Sequence, residues 1–236
     1  MALFEELDYA PTPLGAVSLR RRREPRLGRD VLEVLLRDEH LMSDVFTASE
    51  VALADLALAR LPDRGLRVVV GGLGLGYTAR AALADPRVRR CRVVEYLSPV
   101  IGWHQGGLAP LGPALFADAR FDVREGDFFA MATGEGFGEP GERWNAVLVD
   151  IDHAPDRLLG ADGGFYAPDG LRALSRHLAP GGVAALWSDD APDDRVTDRL
   201  ANAFGQASGI PVTWPNPYTG EAFTQTVYLA QTPGGA

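Results

Sequence analysis

Two regimes of apolar and polar alternation divide this 236-residue chain. Through residue 45 the apolar segments are short and extended. Ala16-Val17-Ser18-Leu19 follows Pro11, Pro13 and Gly15, and Leu32, Val34 and Leu36 recur with a period of two, which places them on one face of a strand. These segments predict a small N-terminal β-hairpin unit over residues 1–45. From residue 46 the period changes. Val51, Leu53, Leu56, Leu58 and Leu61 give residues 46–61 the broad apolar face of a helix, with Thr47 or Ser49 as its cap and Pro62-Asp63-Arg64-Gly65 as its end. Strand and helix patterns then alternate. Strands are predicted at 66–70, 93–95, 121–124, 146–150 and 183–187, and helices at 77–84, from 99, at 170–178 and at 195–207. Such alternation specifies an α/β domain with a parallel, doubly wound sheet. The tail differs: Val212-Thr213-Trp214, a Pro/Asn/Gly turn and residues 224–230 read as an antiparallel hairpin.

The run Val68-Val69-Val70-Gly71-Gly72-Leu73-Gly74-Leu75-Gly76-Tyr77-Thr78-Ala79 joins a buried strand to a helix through glycines. Glycine lets backbone turn tightly against a ligand, and the helix N-terminus presents free N–H groups. Gly74 through Ala79 fits G-x-G-x-x-A, the dinucleotide fingerprint, whereas Gly72, Gly74 and Gly76 fit the G-x-G-x-G loop of S-adenosylmethionine-binding domains. A purely structural turn is the third reading, and Tyr77 is placed to cover a ligand in either of the others.

Carboxylates recur where parallel strands end, the side on which open α/β sheets bind ligands. Glu95 can accept from ribose hydroxyls. Asp127 can accept from an adenine amino group, with Phe128 packed on the base. Asp150 and Asp152 share a face in extended chain, so one can orient an acceptor while the other, or His153, takes a proton. Trp187 reads as a packed wall, and Asp189-Asp190 as the approach to a helix.

Composition narrows the partners. The net charge of −9 argues against nonspecific nucleic-acid binding. The basic run from Arg20 to Arg23 reads as a solvated strand or turn, and an anionic contact is the alternative. Lacking an apolar run of membrane-spanning length and a leader-like start, the chain is expected to be cytoplasmic with no membrane partner. Cys91, the single cysteine, excludes an internal disulfide and reads as a packed thiol. His40, His104, His153 and His177 show no ligand spacing, so no metal is expected. Trp103-His104 reads as a packed aromatic beside a surface histidine.

The order of glycine loop, Glu95, Gly126-Asp127, Asp150, Phe165-Tyr166 and Leu178-Ala179-Pro180-Gly181-Gly182, followed by the terminal hairpin, resembles the spermidine-synthase-like branch of the class I methyltransferase fold over about residues 32–230. The resemblance implies a Rossmann-like doubly wound seven-stranded sheet in a nucleoside-binding domain at 46–236. It implies S-adenosylmethionine or its decarboxylated form as cofactor, a small-molecule amine or hydroxyl acceptor, and a homodimer. Gly72, Gly74 and Gly76 would line the sulfonium nucleoside, Glu95 would hold the ribose, Asp127 would meet the adenine, and Asp150 would sit beside the transferred group.

The departures argue against ordinary putrescine aminopropylation. Polyamine-forming members carry Gly-Gly-Gly-Asp-Gly in the loop, and its Asp matches Leu75. The second Asp of Asp-Ser-x-Asp matches His153. Of Tyr-His-Glu, aligned with Ala48-Ser49-Glu50, only the Glu remains. Methyl transfer is one alternative. Nucleoside binding without chemistry is another, and a nicotinamide-dependent oxidoreductase is a third.

Overall fold

In a computed structural model the described residues are 4–62, 65–151 and 164–234. The N-terminal unit is larger than the hairpin its pattern suggests. Strands β1 (Phe4–Thr12), β2 (Gly15–Glu24), β3 (Arg29–Leu36) and β4 (Glu39–Ser43) form a four-stranded antiparallel sheet in chain order. The outer strands escaped notice because an edge strand needs little apolar alternation: β1 is FEELDYAPT, rich in charge and largely accessible.

The run Arg20 to Arg23 lies on β2 and is answered within the sheet. Arg20 faces Glu6 at 3.5 Å, Arg21 faces Glu5 at 3.1 Å, and Arg23 faces Asp30 at 3.4 Å. Arg22 pairs with Glu24 and, at 2.7 Å, with Glu33. Each arginine of the run thus faces a carboxylate of its own sheet.

Helix α1 (Ala48–Leu58) leads into the second sheet. Its elements in chain order are β5 (Leu66–Gly71), α2 (Tyr77–Ala84), β6 (Val88–Glu95), α3 (Ser98–Gln105), α4 (Gly112–Ala117), β7 (Phe121–Glu125), α5 (Phe128–Thr133), β8 (Trp144–Val149), α6 (Pro168–Ser175), β9 (Leu178–Ser188), α7 (Asp194–Phe204), β10 (Gln206–Pro215) and β11 (Ala222–Gln231). The seven strands are ordered β10-β11-β9-β8-β5-β6-β7, with β9 through β7 parallel and the β10–β11 hairpin antiparallel on one edge. Alternation along β5 sends Val68 and Val70 into one core and Val69 into the other. Both faces of the sheet are therefore covered, and β5 reads as a continuous apolar run.

Three boundaries differ from the sequence pattern. Gly205, at φ 103°, stops α7, so β10 begins at Gln206 rather than near Val212. The Ala-Pro-Gly-Gly stretch lies within β9 as an irregularity between the Trp144–Leu178 and Ala146–Val183 pairs. Helices α4 and α5 have six residues each and no apolar stripe long enough to register. Cys91 is buried in β6, and desolvation pushes its thiol up to about 12, as suits an inert packed thiol. Among the described residues no helix is long and apolar enough to cross a membrane.

After β5 the chain adds β6 and β7 on one side, then returns to lay β8 on the other. The two crossovers diverge at the carboxyl ends of β5 and β8. That divergence opens a crevice there, and the N-terminal sheet roofs it.

Candidate active site

The crevice is a cavity of about 600 Å³. Its floor is the glycine loop between β5 and α2, where backbone conformation decides which glycine does what. Gly72 has φ +89°, and a Cβ there would press into the Asp150 carbonyl oxygen, so β5 and β8 approach this closely only with glycine at that position. Gly74, at φ +47°, faces the cavity beneath Met42 of β4. Gly76 does not line the cavity. It precedes α2 at φ +91°, and a Cβ there would meet Leu115 at 2.8 Å and His104 at 3.0 Å. Its Cα faces packed side chains of α3 and α4.

Leu75 is also turned away, 2% exposed in the core, with its N–H 3.1 Å from the Met42 sulfur. Gly72, Leu73 and Gly74 are the loop residues that line the cavity. No charge enters from the loop.

Glu95 ends β6 on the cavity wall. One carboxylate oxygen accepts from the Leu73 N–H at 2.7 Å and the other from the Leu97 N–H at 2.8 Å, which ties the glycine loop to the start of α3. Burial raises its pKa, while those backbone donors oppose the rise. Asp127 caps α5, accepting from the Ala130 N–H at 3.1 Å, and also reaches the wall. Phe128 offers an edge to the cavity, but its ring belongs mainly to the core, stacked 5.1 Å from Phe137. Tyr77 lines the cavity half-buried, with the Arg80 guanidinium 4.9 Å above its ring.

The end of the cavity beside Asp150 is acidic and aromatic. Asp150 follows β8 and accepts from the Thr78 hydroxyl at 2.6 Å. Glu50, in the first turn of α1, accepts from Ser49 at 2.9 Å and is buried. Burial pushes Glu50 up to about 8, and the nearby Asp150 charge adds to the rise; desolvation pushes Asp150 up to about 6. Two carboxylates in one apolar cleft cannot both ionise freely, so near neutral pH the pair retains a proton. Trp187, Phe46 and Phe223 complete this end, with the Phe46 and Phe223 rings 5.6 Å apart. Asp189 accepts from Gln225 at 2.7 Å. Among the described residues no arginine lines the cavity.

Asp152 and His153 lie outside the described residues. Glu50 was legible only as the remnant of a motif. Its independent signal was a lone carboxylate in the apolar first turn of α1, a position that burial makes costly unless the charge is used. His104, read as a surface residue, is 1% exposed.

The pair's sign makes a stability prediction. A carboxyl whose pKa is higher folded than unfolded destabilises the fold once pH exceeds its unfolded value, fully so above its folded value. Glu50→Gln should therefore raise Tm by roughly 5 °C or more at pH 8.5, and by under roughly 2 °C at pH 5. Thermal melts at the two pH values check this. A gain that is equal at both would remove the titrating carboxyl as its cause.

No family model matches the chain. A solved spermidine synthase in complex with the transition-state analogue AdoDATO superposes with a TM-score of 0.76, covering 98% of this chain and 74% of that one at 15% identity. The fold is that of the spermidine synthases. The spermidine synthase of Thermotoga maritima agrees, with a TM-score of 0.73 over 98% of this chain and 73% of its own at 14% identity. By sequence, polyamine aminopropyltransferase 2 of Streptomyces coelicolor is 29% identical over 147 residues, which is 61% of this chain. The chain spans only 25% of the length of that curated relative.

Proposed function

We propose that the protein transfers an alkyl group from a sulfonium nucleoside, S-adenosylmethionine or its decarboxylated form, to a small amine. The observation that carries this reading is the polarity of one cavity. Gly72, Gly74, Glu95 and Asp127 line it beside the glycine loop, and Glu50 and Asp150 add two further carboxyl groups to the same wall, with no arginine among the described lining residues. A sulfonium cation and an amine both gain from that charge. The carboxyl groups of Glu50, Glu95, Asp127 and Asp150 on the wall disfavour the carboxylate of unmodified S-adenosylmethionine, which favours the decarboxylated donor. The spermidine-synthase fold and the aminopropyltransferase relative point the same way.

In this reading the amine nitrogen attacks the carbon attached to sulfur. The C–N bond forms as the C–S bond breaks, and the electron pair returns to sulfur as neutral thioether. An amine arriving protonated must first lose one proton; the secondary ammonium formed on attack keeps its charge, so one proton leaves per turnover. Asp150, held by Thr78, is the proposed acceptor and orienting group. Asp152 and His153, which follow it in the chain, are the proposed alternatives. Glu95 would hold the ribose, and Asp127 the adenine. No metal enters the scheme.

Calorimetric titration with decarboxylated S-adenosylmethionine, methylthioadenosine, S-adenosylmethionine, S-adenosylhomocysteine and NAD tests the reading. The decarboxylated donor and methylthioadenosine are expected to bind tightest. Preference for S-adenosylmethionine and S-adenosylhomocysteine would move the reaction to methyl transfer. Nucleoside binding without turnover on any amine would leave a binding protein. Binding of NAD alone would overturn the reading.

A further inference from the structure

Two features singled out in the sequence find no role in the scheme above: the third glycine of the loop and the Trp103-His104 pair. The structure joins them. His104 Nε2 lies 2.9 Å from the Gly74 carbonyl oxygen. A carbonyl can only accept, so Nε2 carries the hydrogen and the ring donates. The ring is buried against the outer side of the loop, and its Cε1 occupies the space that a Cβ on Gly76 would need. From α4, Gly112 lets the backbone of His104 pack so closely that any side chain there would meet the His104 carbonyl. The other ring nitrogen, Nδ1, is buried with no partner. Next to it, the Trp103 indole donates to Asp8 of β1 at 2.6 Å, so the same turn of α3 also holds the roof.

The loop is thus gripped from two sides. Glu95 takes the Leu73 N–H on the cavity side, and His104 takes the Gly74 carbonyl from behind. We propose that His104 is a positioning residue of the proposed nucleoside site, whose Nε2–H fixes the Gly74 peptide so that the loop is ordered before ligand arrives. At Gly76 a Cβ would meet this ring and Leu115, and the φ of +91° favours glycine besides. The inference rests on the nucleoside reading for its functional consequence, though not for the loop order itself. Preorganised backbone lowers the ordering cost of binding, so loss of the donor appears in affinity.

Three variants separate the donor from mere filling of space. His104→Leu removes the donor at similar volume. His104→Gln places an amide N–H2 at the reach of Nε2. His104→Asn places one a bond too short. Leaving the buried Gly74 carbonyl unpaired is expected to weaken methylthioadenosine binding about tenfold in the Leu and Asn variants, with Gln within about threefold of the parent protein. Where turnover is measurable, the donor KM rises while kcat holds.

In ligand-free protein, amide hydrogen exchange across residues 72–76 should quicken in Leu and Asn and return to the parent rate in Gln. If Leu fails to fold, the Gln–Asn pair decides alone. Equal affinity and equal exchange across the variants would overturn the proposal. If the parent protein binds no nucleoside, the nucleoside reading fails, and the exchange rates still judge the role of His104.

Discussion

Asp150→Asn should lower turnover by about 100-fold or more, on whichever amine the parent protein accepts, while leaving affinity for neutral methylthioadenosine within a few-fold. The substitution is close to isosteric, and its amide oxygen can still accept from Thr78, whose hydroxyl lies 2.6 Å from the native carboxylate. What disappears is the negative charge and the site for the amine proton. The same change should not cost stability. Asp150 raises the pKa of Glu50 through their like charges, so removing one charge relaxes the other. Tm at neutral pH should hold or rise. The combination of falling kcat with steady or rising Tm separates a group that acts from a group that merely packs. Full turnover in Asp150→Asn would remove Asp150 from the chemistry and turn attention to Asp152 and His153.

Gly72→Ala should be among the most damaging single-methyl changes in the molecule. Two penalties coincide at this position. Its φ of +89° disfavours any side chain, at about 1–2 kcal/mol. The added Cβ also presses on the Asp150 carbonyl, which is backbone of the neighbouring strand and cannot swing aside as a side chain would. Relief requires β5 and β8 to part at the point where the crevice opens. A total of about 3 kcal/mol, seen as a Tm fall of roughly 10 °C, is expected, with loss of nucleoside binding.

Gly220→Ala provides the control. Gly220 has φ +75°, and a Cβ there meets nothing within 4 Å, so it carries the conformational penalty without the contact. Its Tm should fall by only a third to a half as much. Equal losses at the two sites would mean that backbone strain, and not the approach of β5 to β8, makes Gly72 necessary.

These two positions show how closely stability and function are bound together here. Glu50 and Asp150 sit in an apolar cleft at a cost in stability that rises with pH, and in the proposed function the same pair attracts the cationic donor and amine. Substitution of Glu50 by glutamine is expected to make a sturdier protein, as commonly happens when a strained functional group is neutralised.

By itself the sequence determined what depends on near neighbours. The apolar run of β5, the glycines after it and the alternation of strand with helix are set by local period and backbone freedom, and they prescribe a parallel sheet with a ligand crevice at its carboxyl edge. The carboxylates Glu95, Asp127 and Asp150 were legible for the same reason, since each directly follows or ends a recognisable strand. Only the tertiary structure decided which groups face the cavity. Gly76 and Leu75 share the motif with Gly72 and Gly74, yet a turn with positive φ at every second residue, Gly72, Gly74 and Gly76, points them away. Glu50 meets the field of Asp150 because α1 packs beneath the sheet, which no local window contains. His104 is buried because α4 closes over it, and Arg20 and Arg21 of β2 are paired by β1, which carries little apolar pattern of its own. Burial and charge pairing are properties of chain segments brought together from afar, so periodicity could not reveal them.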